Sequence, residues 1–309
     1  MNKVPEIMAR EGEPDPDVFV KADAFTKKTY RDVYSAIDPT RPNLSQKGKV
    51  VVITGASRGL GRYSFAASFA RAHADAIVLL ARSRENLSQT EAMVKSISPS
   101  TKVLSIAVDV TDYVSVKRAF DEIIERLGIP QVLVNNAGVI ASQCRIVDDD
   151  PAFWWRTQEV NVRGTFNATQ AFLKIVGPSP AAPTAIINLT SAAGHYVGQN
   201  LSSYCLTKLA ITQFTAFLKD EHPQITSVSL HPGMIPTDMG NSASWLAPFM
   251  KDTADLCGGA AVWLSSGDRQ FLSGRYVAAN WDVEELEARK EEIVQDNLLT
   301  VRLNGRFGE

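Results

Sequence analysis

Residues 49–61 read KVVVITGASRGLG, and this stretch constrains the fold more than any other. Val50, Val51, Val52 and Ile53 form a β-branched run without polar alternation, the pattern of a strand buried on both faces. The run leads straight into Gly55, Gly59 and Gly61, and from about Leu60 a helical apolar pattern continues through Ala66, Phe69 and Ala70. Strand, glycine turn and helix together form the context in which a glycine motif has a physical purpose. Gly55 permits the tight turn, Gly59 lets the backbone approach a pyrophosphate, and Gly61 allows close helix packing. The free N–H groups of the helix start face the anion. The spacing, GxxxGxG, is wider at one interval than the common GxGxxG fingerprint. A glycine-rich turn with no ligand is the plain alternative.

The alternation of strand and helix continues. AIVLL (76–80) is a second buried strand, and a helix follows over 84–97. KVLSIAVDV is the third strand. TDYVSVKRAFDEIIERLG reads as a helix capped by Thr111 and closed by Gly128, with Val114, Phe120, Ile123, Ile124 and Leu127 inward. QVLVNNAG is the fourth strand, and Pro151 opens a long helix. TAIINLT, ITSVSLHPG and RYVAAN supply three more strands, with a helix from SSYCLTKLAITQFTAFLKD between the first two. Such a series predicts an α/β fold: one doubly wound parallel sheet of about seven strands with helices on both faces. Ligands of these folds sit at the carboxyl ends of the strands. Gly55–Gly61, Arg82, Asp109, Asn135–Gly138, Ser191 and Pro232–Gly233 all fall on that edge.

The segment SAAGHYVGQNLSSYCLTK carries the chemistry. Tyr204 and Lys208 lie four residues apart, on one face of a helix. A free phenol titrates near pH ~10, too high for efficient proton transfer at neutral pH. A neighbouring cation favours the phenolate and brings the group toward working pH. Ser191 would offer a hydroxyl to the same reacting oxygen. Taken alone, the pair is also what chance places on a helix surface. Past the second strand stand Ala81, Arg82, Ser83 and Arg84, without the carboxylate that would bind an NAD ribose. Arg82 and Arg58 suit a 2′-phosphate, so NADP(H) is favoured over NAD(H). Arg84 reads as a solvated helix start.

Composition sets the outer bounds. The 309 residues are 45% apolar and 21% charged, with a net charge of -2, so no basic surface calls for nucleic acid or an anionic membrane. Cys144, Cys205 and Cys257 are odd in number and scattered, which favours a reducing compartment. His73, His195, His222 and His231 lack ligand spacing, so no metal is expected. No apolar run has signal-peptide or membrane-span character, and a soluble cytoplasmic protein is expected. Residues 1–47 differ from the rest. Five prolines interrupt them, and Tyr30, Tyr34 and Ile37 recur at helical spacing. They read as an extended arm with a short helix over 30–37, or as a partly disordered tail. An ordered arm must pack its aromatics on this subunit or a neighbour.

TGASRGLG (54–61), NNAG (135–138), Ser191, YxxxK at 204–208 and PGMIPT (232–237) together resemble the short-chain dehydrogenase/reductase family over about residues 47–280. IDPTRPNLSQKGK in the arm and NWDVEELEARKEE in the tail resemble its fungal members. The resemblance implies a Rossmann-type catalytic domain over 48–309 behind an N-terminal extension of residues 1–47. Residues 238–251, with Trp245 and Phe249, would form a substrate lid, and 282–309 a C-terminal helix and tail. The resemblance makes Tyr204 the acid in reduction. Lys208 lowers its pKa and binds the nicotinamide ribose, Ser191 holds the substrate oxygen, and Asn161 holds a relay water. Gly55, Ser57, Arg58, Leu60, Gly61, Arg82, Asp109, Val110, Asn136, Ile235 and Thr237, with Tyr204 and Lys208, would contact the cofactor. Thr190 replaces a serine common in the family, without expected consequence. His195 and Tyr196 would shape the substrate pocket. His195 reads either as a cleft-lining side chain or as a partner for a polar substrate group. Trp154 and Trp155 read as helix packing or a subunit interface. Helices 152–176 and 202–220 would pair in a homodimer or homotetramer. The implied activity is hydride transfer between NADP(H) and a medium-sized, mostly apolar ketone or secondary alcohol, as in secondary metabolism. An NADP(H)-binding sensor or scaffold without turnover, and a non-redox lyase or isomerase, are the alternatives.

Overall fold

The β-branched runs form a single seven-stranded parallel sheet in order β3-β2-β1-β4-β5-β6-β7. The strands are β1 (Val50–Thr54), β2 (Ala76–Ala81), β3 (Lys102–Ala107), β4 (Val132–Asn135), β5 (Ala185–Leu189), β6 (Thr226–His231) and β7 (Arg275–Ala278). The structure, a computed structural model, describes residues 15–241 and 244–305. The strand order reverses between β1 and β4, which pair through Val51↔Val132 and Ile53↔Val134. A crevice opens at such a reversal, outside the strand ends.

Every residue of β1 is buried, and its side chains feed two cores. Val51 and Ile53 pack with Phe65, Phe69, Leu256 and Trp263 on one face. Val50 and Val52 pack with Phe120, Phe172 and Leu218 on the other. This two-sided burial is why the strand lacks alternation.

The helices keep their expected places with several corrections. The helix Arg84–Ile97 lies where the sequence puts it. The helix Tyr113–Leu127 is capped by Asp112, not Thr111. Asp112 accepts from the amides of Val114 and Ser115, while the Thr111 hydroxyl donates to Asp109 at 2.8 Å. This helix buries Val116, Ala119, Phe120 and Ile123, and leaves Val114 and Ile124 exposed. The stripe i, i+3, i+4, i+7 starts two residues later than the apolar content suggests. The long helix opened by Pro151 is interrupted. A wider π turn over Glu159–Arg163 separates Pro151–Gln158 from Gly164–Val176. The tail carries two short helices, Val283–Ala288 and Lys290–Gln295, instead of one.

From residue 15 onward the arm packs on its own subunit, and residues 1–14 lie outside the described residues. Its helix is Val18–Ala22, not 30–37, where only a single turn forms over Ser35–Ile37. The reason is lateral: Tyr30 and Tyr34 stack at 3.6 Å and reach across to the end of β7. The Tyr34 hydroxyl donates to the Trp281 carbonyl at 3.0 Å, and Tyr30 bonds Asp282 at 3.1 Å. Ile37 and Leu44 enter the core beside β1. Within the expected lid, a short helix Asp238–Asn241 precedes a turn over Ser244–Phe249, and residues 242–243 lie outside the described residues. Phe249 packs toward the arm. It is buried edge-on against Phe19 of the arm at 4.9 Å, while Trp245 is partly exposed.

Candidate active site

Asn135, Asn188, Thr215 and Ser229 form a buried polar ladder that fixes the carboxyl edge of the sheet. Asn135 donates to Asn188 at 2.8 Å, Asn188 to Thr215 at 2.9 Å, and Ser229 to Thr215 at 2.8 Å. A connected buried network of this kind restricts relative positions. It ties β4, β5 and β6 to the helix Ser202–Glu221, which carries Tyr204 and Lys208. Thr190, at the end of β5, adds to the lock. Its hydroxyl donates to the Lys208 carbonyl at 2.9 Å and pairs with Thr212 at 2.9 Å.

The structure brings Ser191, Tyr204 and Lys208 together. The Ser191 hydroxyl lies near enough to the Tyr204 phenol to favour its ionised form, and it accepts from the Ala193 amide at 3.2 Å. The Lys208 ammonium lies 5.4 Å from the centre of the Tyr204 ring and donates to the Leu189 carbonyl at 2.7 Å. Burial dominates both titrations. It pushes the phenol up to about 12, with the neighbouring Ser191 hydroxyl pulling the other way. It depresses Lys208 to about 8. The helical spacing alone suggests a phenol lowered by its lysine, but the lysine is itself destabilised by burial and the phenol stays protonated at neutral pH. That state suits an acid rather than a base.

Asn161 sits in the π turn, fully buried. Its Oδ1 accepts from the Val139 amide at 2.8 Å, and its Nδ2 donates to the Val139 carbonyl at 3.0 Å and to Thr207 at 3.1 Å. The side chain is fully engaged in joining the segment after β4 to the helix Ser202–Glu221. π turns recur at functional sites because they re-aim a residue within a helix.

The glycine turn occupies the other half of the crevice. A Cβ on Gly61 would lie 2.2 Å from the Gly55 carbonyl oxygen, so only glycine lets the helix start against the turn. Gly59 faces open space, with nothing within 4 Å of an added Cβ. Asn136 braces the two halves by donating to the Thr54 and Gly55 carbonyls at 2.9 and 3.1 Å. Arg58 is exposed and pairs with Asp238 at 3.3 Å, and Arg82 is exposed past β2. Asp109 is partly buried. Hydrogen bonds from Thr111 and the charges of Arg156 and Arg82 outweigh that burial and hold its carboxyl below the usual range. Val110 packs against Gly164 and accepts from Asn167 at 2.9 Å. The Ser57 carbonyl is held by Arg62, and Leu60 packs at the edge of the core. Ile235 is buried, and Thr237 accepts from the Gly240 amide at 3.1 Å.

A match to the short chain dehydrogenase family model covers residues 49–245. The chain belongs to the short-chain dehydrogenase family. It is 36% identical over 285 residues to the short chain dehydrogenase mpl6 of Monascus purpureus, covering 90% of this chain and 96% of that one. It is also 36% identical over 303 residues to the short chain dehydrogenase pigC of Monascus ruber, covering 94% and 95%. Among solved structures, a gluconate 5-dehydrogenase from Burkholderia cenocepacia, in complex with NADP and tartrate, aligns with a TM-score of 0.69 and 25% identity, covering 79% of this chain and 96% of that one. A short chain dehydrogenase from Shigella flexneri complexed with NADP shares the fold, with a TM-score of 0.70 and 23% identity over 77% and 99% of the two chains.

A nicotinamide dinucleotide fits this dehydrogenase site. Lys208 carries three donors and spends one on Leu189, leaving two for hydroxyl partners. The open space at Gly59 beside a helix start suits a pyrophosphate. The His195 ring meets Tyr276 edge-on at 4.5 Å, and burial lowers its pKa. Tyr196 approaches the Ala22 carbonyl of the arm at 3.5 Å. Sequence reasoning missed Thr190 as a brace, and it missed Tyr276, Asp23, Asp252 and Arg31 around the cleft. Only Thr190 carried a local signal, its place directly before Ser191. Among the described residues no group of three or more His, Cys, Asp or Glu side chains is placed to hold a metal. No described helix is long and apolar enough to cross a membrane.

Proposed function

We propose that this dehydrogenase reduces a ketone to a secondary alcohol with NADPH, or runs the reverse reaction with NADP. The observation that carries the reading is the Ser191–Tyr204–Lys208 cluster at the strand ends, with a protonated phenol and spare ammonium donors. When bound, the nicotinamide supplies or accepts the hydride. Ser191 holds the substrate oxygen. Tyr204 gives that oxygen its proton as the carbonyl carbon is reduced. Lys208 holds the ribose hydroxyls, and its charge, once partnered there, eases the phenol's proton loss. Asn161 keeps the catalytic helix in register with the segment after β4, beside the relay water expected at that place. The glycine turn, with Gly55, Ser57, Arg58, Leu60 and Gly61, holds the pyrophosphate side. Arg58 and Arg82 favour NADP(H) by meeting the 2′-phosphate, Asp109 and Val110 border the adenine, and Ile235 and Thr237 meet the carboxamide. His195 and Tyr196 face the substrate.

The substrate class this implies is a medium-sized, mostly apolar ketone or alcohol, as in secondary metabolism. We assign the enzyme to the cytoplasm. Exposed Phe153, Trp155, Phe166, Leu206 and Phe217 on the two long helices are apolar enough to bury in a homodimer or homotetramer. The test follows NADPH absorbance with a panel of apolar ketones. Oxidation of NADPH with formation of alcohol is expected. Binding without consumption across the panel would point to a sensor, and product without net NADPH loss to a lyase or isomerase.

A further inference from the structure

The arm reaches the cleft through a buried charge. Asp252 follows the lid, and its side chain is fully buried. One carboxylate oxygen accepts from Arg31 of the arm at 2.8 Å. The other accepts from the Met234 amide at 2.5 Å and from the Asn280 side chain at 3.0 Å. The Asp252 amide in turn donates to the Met234 carbonyl at 3.0 Å. Gly233, with φ +94°, lies so close that an added Cβ would meet the carboxylate at 2.5 Å. Arg31 is itself held by Asp17 at 2.6 Å and by the Pro16 carbonyl at 2.7 Å, and its own carbonyl accepts from the Thr253 amide at 2.9 Å.

These contacts converge on the Gly233–Met234 turn, directly before Ile235 and Thr237. A buried carboxylate needs a counter-charge and filled acceptor sites, and the arm supplies the counter-charge. We propose that Asp252 is a positioning residue for the nicotinamide half of the cofactor site, and that Arg31 makes the N-terminal arm a working part of that site. A second set of arm contacts is consistent with this role. Tyr276, which supports His195, donates to Asp23 at 2.6 Å, and the Asp23 carbonyl accepts from Trp281 at 2.7 Å. Arg31 lies ahead of residue 49, where the family match begins, and Asp252 lies beyond residue 245, where it ends.

The inference rests on the reading of residues 235–237 as the nicotinamide side of the cleft. Its test needs no substrate. Dissociation constants are measured for NADPH and for 2′-phospho-ADP-ribose, the same molecule without nicotinamide, on wild type, Asp252→Asn, Arg31→Gln and Arg31→Lys. NADH and ADP-ribose are run in parallel. Asp252→Asn and Arg31→Gln are expected to weaken NADPH about tenfold or more, the scale of a broken buried charge pair, with fragment affinity unchanged. Arg31→Lys is expected to recover part of the loss. Equal losses for both ligands, or no loss for either, would overturn the proposal, as would wild-type protein that binds NADPH no tighter than the fragment. Arg31→Gln keeps the test open if Asp252→Asn does not fold, because Arg31 lies nearer the surface. Wild type that binds both ligands yet reduces no ketone would contradict the proposed function and not this inference.

Discussion

The two ends of the cleft are built differently. At the end assigned to adenosine, Arg58 and Arg82 are exposed, and Arg58 spends its charge on a solvent-facing pair with Asp238. At the catalytic end, Lys208 and Asn161 are buried, and hydrogen bonds tie them to the backbone or to neighbouring helices. Exposed charges are screened and cheap to change. Buried polar groups cannot change without leaving partners unsatisfied. On the proposed reading, cofactor preference is a surface property of this molecule, while its chemistry is a property of the fold.

Four substitutions probe that contrast, in order of expected effect. Ser191→Ala removes the hydroxyl beside the phenol. It should lower kcat by about 10²–10³-fold, within the range of lost transition-state hydrogen bonds, while the NADPH dissociation constant stays put. Asn161→Ala leaves the Val139 amide and carbonyl without partners, and chemical denaturation should report a loss of about 1–3 kcal/mol. A smaller loss would mean that the buried end is less rigidly built than its contacts suggest. Arg58→Ala and Arg82→Ala should each weaken NADPH on the order of fivefold, the reach of an exposed ion pair. That loss should shrink as salt rises and leave thermal stability unchanged. If NADH binds more tightly than NADPH, the assignment of these arginines is wrong.

The smallest effect concerns pH. Burial holds the His231 imidazole down at about 3, with the His195 and Lys208 charges adding to it. The unfolded chain protonates this group near pH ~6.5, before the folded protein does. The stability it contributes is therefore present above about 6.5 and lost as pH falls toward 3. Asp23, raised to about 6 by burial, acts in the opposite sense and is common to both proteins compared. Between pH 7 and 5 the Tm of wild type should fall about 3 °C further than that of His231→Gln, the shift expected for roughly 2 kcal/mol in a chain this size. Equal slopes would place the acid sensitivity elsewhere.

The contrast also explains what the sequence made legible. Strands buried on both faces, the glycine turn and the Tyr204–Lys208 spacing are local patterns, and each proved to lie where it was read. The π turn at Asn161 was not legible, because its residues suit an α-helix equally well. The cap moved from Thr111 to Asp112 because both are capping residues and only the neighbouring Asp109 decides which is free. Val114 and Ile124 are apolar enough to pass for core, but the register set by Phe120 turns them outward. The arm was least legible. Arg31 and Asp252 are 221 positions apart, and no periodicity links them. Tyr30 and Tyr34 repeat at helical spacing yet stack in an extended segment, because their partners at 281–282 come from the far end of the chain.

The central claim is that Tyr204 moves the proton while the surrounding residues hold cofactor and substrate and tune the phenol. Tyr204→Phe tests it most directly, with NADPH affinity and ketone-dependent NADPH oxidation measured on the same preparation. The account predicts binding within about twofold of wild type and turnover reduced by about 10²–10⁴-fold, the range of a lost general acid. Turnover that survives the substitution, or that falls only in step with cofactor affinity, would contradict it.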